Sequence, residues 1–169
     1  MKAKVHELLN QQINKEFYSA YLYLDFSNYF EDAGLDGFAN WYKIQAQEER
    51  DHAMLFYQYL QNENQKVTLE AIPKPDQVFT CHLDVFKAGL EHEEYVTSLI
   101  NEIYAAAYEV KDFRTMQFLD WFVKEQLEEE KNADDMIKKM ELFGSDAKGL
   151  YSLDAEYAQR IYSAPSLVL

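Results

Sequence analysis

Four long stretches of this chain carry apolar residues at three- and four-residue spacing, the pattern of a helix with one buried face. Each stripe is broken near its middle by a glutamate. The first runs Val5, Leu9, Gln12, Glu16, Ala20, Tyr23, Ser27, Phe30, and the second Phe38, Trp41, Gln45, Glu49, His52, Phe56, Tyr59. The third runs Phe86, Leu90, Glu93, Thr97, Ile100, Tyr104, Ala107, and the fourth Phe118, Phe122, Gln126, Glu129, Ala133, Met136, Met140. One such acid could be a register error or the partner of a buried lysine. Four at similar depth, with no lysine or arginine on the stripes at that level, require another explanation.

Glycine and proline set the boundaries. Gly34 and Gly37 form one cluster, Gly144 and Gly149 another, and Pro73 and Pro75 share one segment. Between them lie good helix formers. The predicted helices are α1 at about 3–32, α2 at about 36–62, α3 at about 80–109, α4 at about 112–142 and a short α5 at about 153–162. Asp36 and Asp112 are the expected N-caps of α2 and α4, and Gly144 the expected C-cap of α4. Gly89, inside α3, points to a close approach between helices. Short α1–α2 and α3–α4 connections make two antiparallel hairpins. The α2–α3 connection, roughly 17 residues, can reach ~60 Å, more than the ~39 Å length of a 26-residue helix. It can therefore cross the whole bundle and start α3 at the same end as α2, and Val78 and Phe79 suggest that it packs on the way. The expected fold is all-α: one domain over residues 1–169, an up-down four-helix bundle with one long crossover and a short fifth helix.

Burying several ionised carboxylates together costs several kcal/mol per ion unless opposite charge compensates. Bound metal is the simplest source of that charge, and four carboxylates suit more than one divalent ion. Di-iron carboxylate bundles use one Glu from each of two helices and a Glu-x-x-His pair from each of the other two. Here Glu16 and Glu93 are the single acids, Glu49-x-x-His52 is one pair, and α4 offers Gln126-x-x-Glu129 without a histidine. Oxygen ligands with one imidazole suit iron or manganese, with zinc as a competitor. The missing histidine makes the two metal positions unequal and the second weaker.

The segments Glu16…Tyr23, Ala46-Gln47-Glu48-Glu49-Arg50-Asp51-His52, His92-Glu93 and Glu125-Gln126-Leu127-Glu128-Glu129-Glu130-Lys131 resemble those of bacterial non-haem ferritins. The resemblance spans nearly the whole chain. It implies that Glu16, Glu49 and His52 hold a first iron, with Glu49 bridging, and that Glu93 and Glu129 hold a second, with Gln126 beside it. It makes Tyr23 the tyrosine near the site and assigns Glu48, Glu125, Glu128 and Glu129 to a third, cavity-side iron position. It further implies Fe(II) oxidation by O2 or H2O2, storage of Fe(III) as a mineral, and a homo-oligomeric cage of about twenty-four subunits. Bacterioferritins carry a second Glu-x-x-His in the fourth helix and a haem-ligating methionine after the second-helix glutamate. Asn132 and Arg50 stand at those places, so haem is not expected. The iron–sulfur-type domain of rubrerythrins needs more than one cysteine, and mini-ferritins lack the fifth helix.

Duller readings stand beside these. Glu48, Glu125 and Glu128 fall beside the stripe and could be solvated. Tyr23 is one of 13 tyrosines, open to a packing role as much as a redox one. Trp121 and Cys81 are expected to pack, and His6, His82 and His92 to be structural or exposed. Two other functions compete with ferritin chemistry. A metal buffer would bind ions without consuming O2, and an oxidase would need an apolar pocket for an organic substrate. The 16 basic and 30 acidic residues, formal net charge -14, repel phosphate backbones and anionic lipid. No nucleic-acid or membrane partner is expected. The start, Met1-Lys2-Ala3-Lys4-Val5, predicts no signal peptide, and no segment approaches the ~20 apolar residues of a membrane span. The expected compartment is the cytoplasm.

Overall fold

Helices fill the runs between the glycine and proline clusters in the computed structural model, which describes all of residues 1–169. They are α1 Ala3–Asp32, α2 Asp36–Asn62, α3 His82–Glu109, α4 Phe113–Phe143 and α5 Ala147–Tyr157. There are no strands, and the fold is the expected all-α bundle. No helix is long and apolar enough to cross a membrane. Asp112 caps α4, its side chain accepting from Thr115 N. Asp36 does not cap α2. Leu35 occupies that position without a side-chain bond, and Asp36 instead places its charge in the first turn, where the helix dipole favours it.

The crossover, residues 63–81, runs beside α1 from one end to the other. His6 Nε2 lies 2.8 Å from Lys66 O, Asn10 exchanges two hydrogen bonds with Thr68, and Asn14 Nδ2 donates to Ala71 O. Further along, Phe79 packs edge-on against Phe26 and Tyr29. The segment is thus held by side-chain amides on α1 and by Phe79. Val78, expected to help, is 90% exposed. The path delivers α3 to the end of the bundle where α1 finishes and α2 begins.

The stripes meet in a core made of two separate apolar clusters. One, at the α5 end, is built on Phe26, Phe30, Phe38, Tyr42, Phe86 and Met136. The other, at the far end, is built on Leu9, Ile13, Phe56, Ile100, Phe118 and Phe122. Between them lies a buried polar level that includes Glu16, Gln45, Glu49, His52, Glu93, Gln126 and Glu129. Gly89 lets Tyr42 in rather than a neighbouring backbone: a Cβ there would meet the Tyr42 hydroxyl at 3.3 Å.

The fifth helix starts about six residues earlier than the pattern predicts. Asp146 caps it, accepting from the backbone N–H of Lys148 and Gly149. Beyond Tyr157 the chain leaves the helix, and Asn40 on α2 donates to Arg160 O. α5 docks on the start of α2, where Asp154 accepts from Phe38 N and a Cβ on Gly37 would lie 1.8 Å from Asp154 O. Gly37→Ala therefore forces α2 and α5 apart. Urea unfolding of this variant should show a loss of about 1–3 kcal/mol, the usual cost of overpacking; an unchanged midpoint would mean that α5 does not dock this way.

Candidate metal centre

Each long helix contributes to the polar level because its stripe brings one acid inward at the same height. Glu16, Glu49, Glu93 and Glu129 are all 5% exposed or less, and His52 is 2% exposed. Oxygen and nitrogen atoms of Glu16, Glu49 and His52 lie within 4.8 Å of one another, and so do those of His52, Glu125 and Glu129. His52 thus stands between two groups able to hold an ion. Its Nδ1 is 3.3 Å from Glu49 Oε2 and its Nε2 is 3.9 Å from Glu125 Oε1.

Three amides fix the acids. Gln12 Nε2 donates to Glu16 Oε1 at 2.8 Å. Gln45 Nε2 donates to both Glu49 Oε1 and Glu129 Oε2, at 3.1 and 2.8 Å. Gln126 turns its amide nitrogen to Glu93, donating to Oε2 at 3.1 Å and to the backbone carbonyl at 3.2 Å. Glu93 also accepts from the Tyr23 hydroxyl. Glu93 therefore lies outside the two ligand groups, held by Tyr23 and Gln126, while Glu16 Oε2 is buried with no hydrogen-bond partner at all. Gln12 and Gln45 stand four residues before Glu16 and Glu49 on the same stripes, a spacing that could have marked them as partners.

Burial raises all four carboxyls. Glu16 is pushed up to about 8 by burial and then by Glu49, with His52 opposing. Glu93 and Glu129 also reach about 8, through burial and then through Glu49 and Glu93 respectively. Glu49 lies well above the carboxylate range for the same reason, with Glu129 adding to it. The Tyr23 hydroxyl is raised well above its usual value by burial and by Glu93, so it stays a donor.

Beside this level α2 and α4 form an open cleft of ≈ 400 Å³, lined by Glu48, Glu125, Glu128, Glu129, His52, both tryptophans and the C-terminal segment. Burial raises Glu48 and Glu125, with Arg160 pulling Glu48 back and His52 pulling Glu125 back. Trp121 packs edge-on against His52, 5.5 Å between centroids, and its Nε1 donates to Ser166 Oγ. Arg160 is the functional candidate that the stripes could not reveal. It comes from the segment after α5, and its Nη2 donates to Glu48 Oε2 at 2.5 Å. The acid layer does meet one cation, at its rim. The remaining histidines find partners elsewhere. His92 Nε2 is 2.7 Å from Ser19 Oγ, burial pulling that imidazole down to about 4, and His82 Nδ1 is 3.1 Å from Tyr29 OH. Cys81, expected to pack, is exposed.

The Ferritin-like domain family matches residues 6–143. This chain belongs to the ferritin family. The bacterial non-heme ferritin of Campylobacter jejuni is 38% identical over 161 residues, covering 95% of this chain and 96% of that one. A probable bacterial non-heme ferritin-like protein of Haemophilus influenzae is 35% identical over 92% of this chain and 94% of its own. The open pore ferritin of the hyperthermophilic archaeon Archaeoglobus fulgidus superposes with a TM-score of 0.93 at 42% identity, covering 95% of this chain and 98% of that one. The level of buried acids sits inside a bundle whose backbone matches a solved ferritin along nearly its whole length.

The raised carboxyls predict how the metal-free protein responds to pH. In the unfolded chain these groups ionise near 4.5, and in the fold Glu16, Glu93 and Glu129 ionise near 8. Between those values the folded state binds more protons than the unfolded one, so this contribution to stability is present below about pH 4.5 and lost as pH rises through about 8. Chelator-treated protein should lose stability from pH 6 to pH 8.5 in chemical denaturation. Glu16→Gln should flatten that slope, and equal slopes in both proteins would show that Glu16 is not held protonated.

Proposed function

We propose that this protein oxidises Fe(II) to Fe(III) at the buried acid layer of each subunit and stores the product as a mineral inside a cage of its own copies. The observation that carries the reading is Glu16 Oε2, a buried carboxylate oxygen without a partner, in a layer of four acids whose Lys/Arg contact comes only at the rim, from Arg160 on Glu48 and Gln45. Burial of that kind is costly unless opposite charge arrives, and family membership supports iron as the arriving ion. Glu16, Glu49 and His52 take one Fe(II), with Glu49 shared. Glu93 and Glu129 take the other, with Gln126 orienting Glu93. Glu48, Glu125, Glu128 and Glu129 form the outer position towards the cleft.

Iron is the substrate, and O2 or H2O2 accepts its electrons. The chain supplies geometry and charge: hard anionic oxygen favours the higher oxidation state of the metal, the amides keep the carboxylates aimed inward, and Tyr23 keeps a proton on the Glu93 side. The space beside Glu93 and Glu129, lined by Tyr23, Tyr42, Gly89 and Met136, amounts to ≈ 10 Å³, about one water molecule. That favours small oxidants over an organic substrate. The net charge of -14 draws cations towards the protein. Membership of the ferritin family supports self-assembly.

Aerobic addition of excess Fe(II) to the metal-free protein, followed by size exclusion with iron and protein detection, tests this directly. Ferric iron should form faster than in buffer and elute with a large particle, far beyond a few ions per chain. Glu49→Ala/Glu129→Ala should slow oxidation by at least ~10-fold, the loss typical even of residues one step removed from a metal. Binding of only a few ions per chain in a small oligomer would leave a metal buffer.

A further inference from the structure

The segment after α5 is strapped across the mouth of the cleft. Tyr162 OH donates to Asp51 Oδ2 on α2 at 2.5 Å, Ser166 Oγ accepts from Trp121 Nε1 on α4 at 2.9 Å, and Ser163, Ala164, Pro165 and Ser166 form one wall. At its centre Arg160 lies over the Trp41 ring, 4.0 Å from guanidinium carbon to centroid. Nη1 donates to Trp41 O and to Gln45 Oε1, at 3.2 and 2.8 Å, and Nη2 to Glu48 Oε2. The side chain is only 18% exposed. Arg160 is the one Lys or Arg among the residues lining the cleft, and a guanidinium cannot give up its charge by titration.

The position of that charge decides what it does. Glu48 faces His52, Glu128, Asp51 and Arg160, so it is one of the acids that an ion entering the cleft would use. Arg160 already occupies it, and through Gln45 reaches the amide that holds Glu49 and Glu129. We propose that Arg160 is a built-in competitor for the outer cation position: an ion settling among Glu48, Glu125 and Glu128 must displace the guanidinium, which returns when the ion leaves. The outer position is then one of transit between the buried pair and the cleft, held weak by the protein's own arginine. This rests on the reading of the acid layer as an iron site.

The test uses the assembled, metal-free protein and Tb³⁺, a hard cation without redox chemistry under these conditions. Its emission is excited through Trp41 and Trp121, which both line the cleft, and calorimetry counts the ions. Arg160→Gln should tighten the cleft ion about 10- to 100-fold, the worth of one charge-assisted hydrogen-bonded pair. Arg160→Lys keeps the charge but loses the planar fork and the stacking on Trp41, so it should fall between the wild type and Arg160→Gln, and the tighter ions of the inner pair should change far less than the cleft ion. Tyr162→Phe loosens the strap while leaving Arg160 in place. It should raise cleft affinity a few-fold, and it keeps the question open to test if Arg160→Gln does not assemble. Unchanged or weaker cleft binding in Arg160→Gln beside a normal inner pair overturns this proposal alone, as does Tyr162→Phe with no rise. If the wild type binds no tight ion, and Glu49→Ala therefore removes none, the iron-site reading falls and this proposal with it.

Discussion

Four carboxylates taken out of water at one level of a helical bundle are the constraint to which the rest of the molecule answers. Unscreened, they repel one another, and burial drives each towards the protonated form. The chain restrains them with groups that add no charge: Gln12 on Glu16, Gln45 on Glu49 and Glu129, Gln126 and Tyr23 on Glu93. Amides and a phenol hold geometry without supplying the cation that would satisfy the site permanently.

Such a layer cannot contribute hydrophobic stabilisation, so the two apolar clusters above and below it must hold the helices in register. Stacked rings do much of this. Phe30 stacks on Tyr42 and Phe86 at one end, and Tyr59 stacks on Phe118 at the other. The crossover has the same purpose at the level of topology. The α1–α2 hairpin sets Glu16 against Glu49 and His52, and the α3–α4 hairpin sets Glu93 against Gln126. Only a connection that returns along the full length of α1 brings these two half-sites to one height with α3 parallel to α2.

What could be read in the sequence follows from this division. Helical periodicity is local, so the stripes of α1 to α4 and the acids on them were legible, and Glu16, Glu49, His52, Glu93 and Glu129 lie where their spacing puts them. The cap at Asp112 was legible for the same reason. The start of α5 was not, because Gly149 weakens the helical pattern and the helix exists through the Asp146 cap and its docking on Gly37, a contact about 117 residues away in the chain. Arg160 was hidden more deeply. It falls within the predicted α5, but its meaning comes from a tail path set by Asn40, Asp51 and Trp121, three residues on two other helices. The partners of Gln12 and Gln45 were within reach, since both sit four residues before an acid, but an amide on a stripe has no signature until the acid is known to be buried.

The two sides of the acid layer are built differently, and the difference gives the site a direction. Towards Tyr23, Tyr42 and Gly89 the packing is aromatic and leaves room for about one water molecule, so neither a hydrated cation nor a mineral fragment can pass. Towards Glu48, Glu125 and Glu128 the wall opens into acidic, wet space crossed by the strap. Any ion moving between the layer and the cleft meets His52, common to both ligand groups, and then Arg160. As proposed, an imidazole shared between positions and a guanidinium displaced by the arriving ion favour movement over retention, whereas the apolar clusters on either side resist it. On the proposed reading, the bundle's rigidity and the mobility of its cargo are therefore separate properties, set by the stacked ends and by the acidic rim of a single layer.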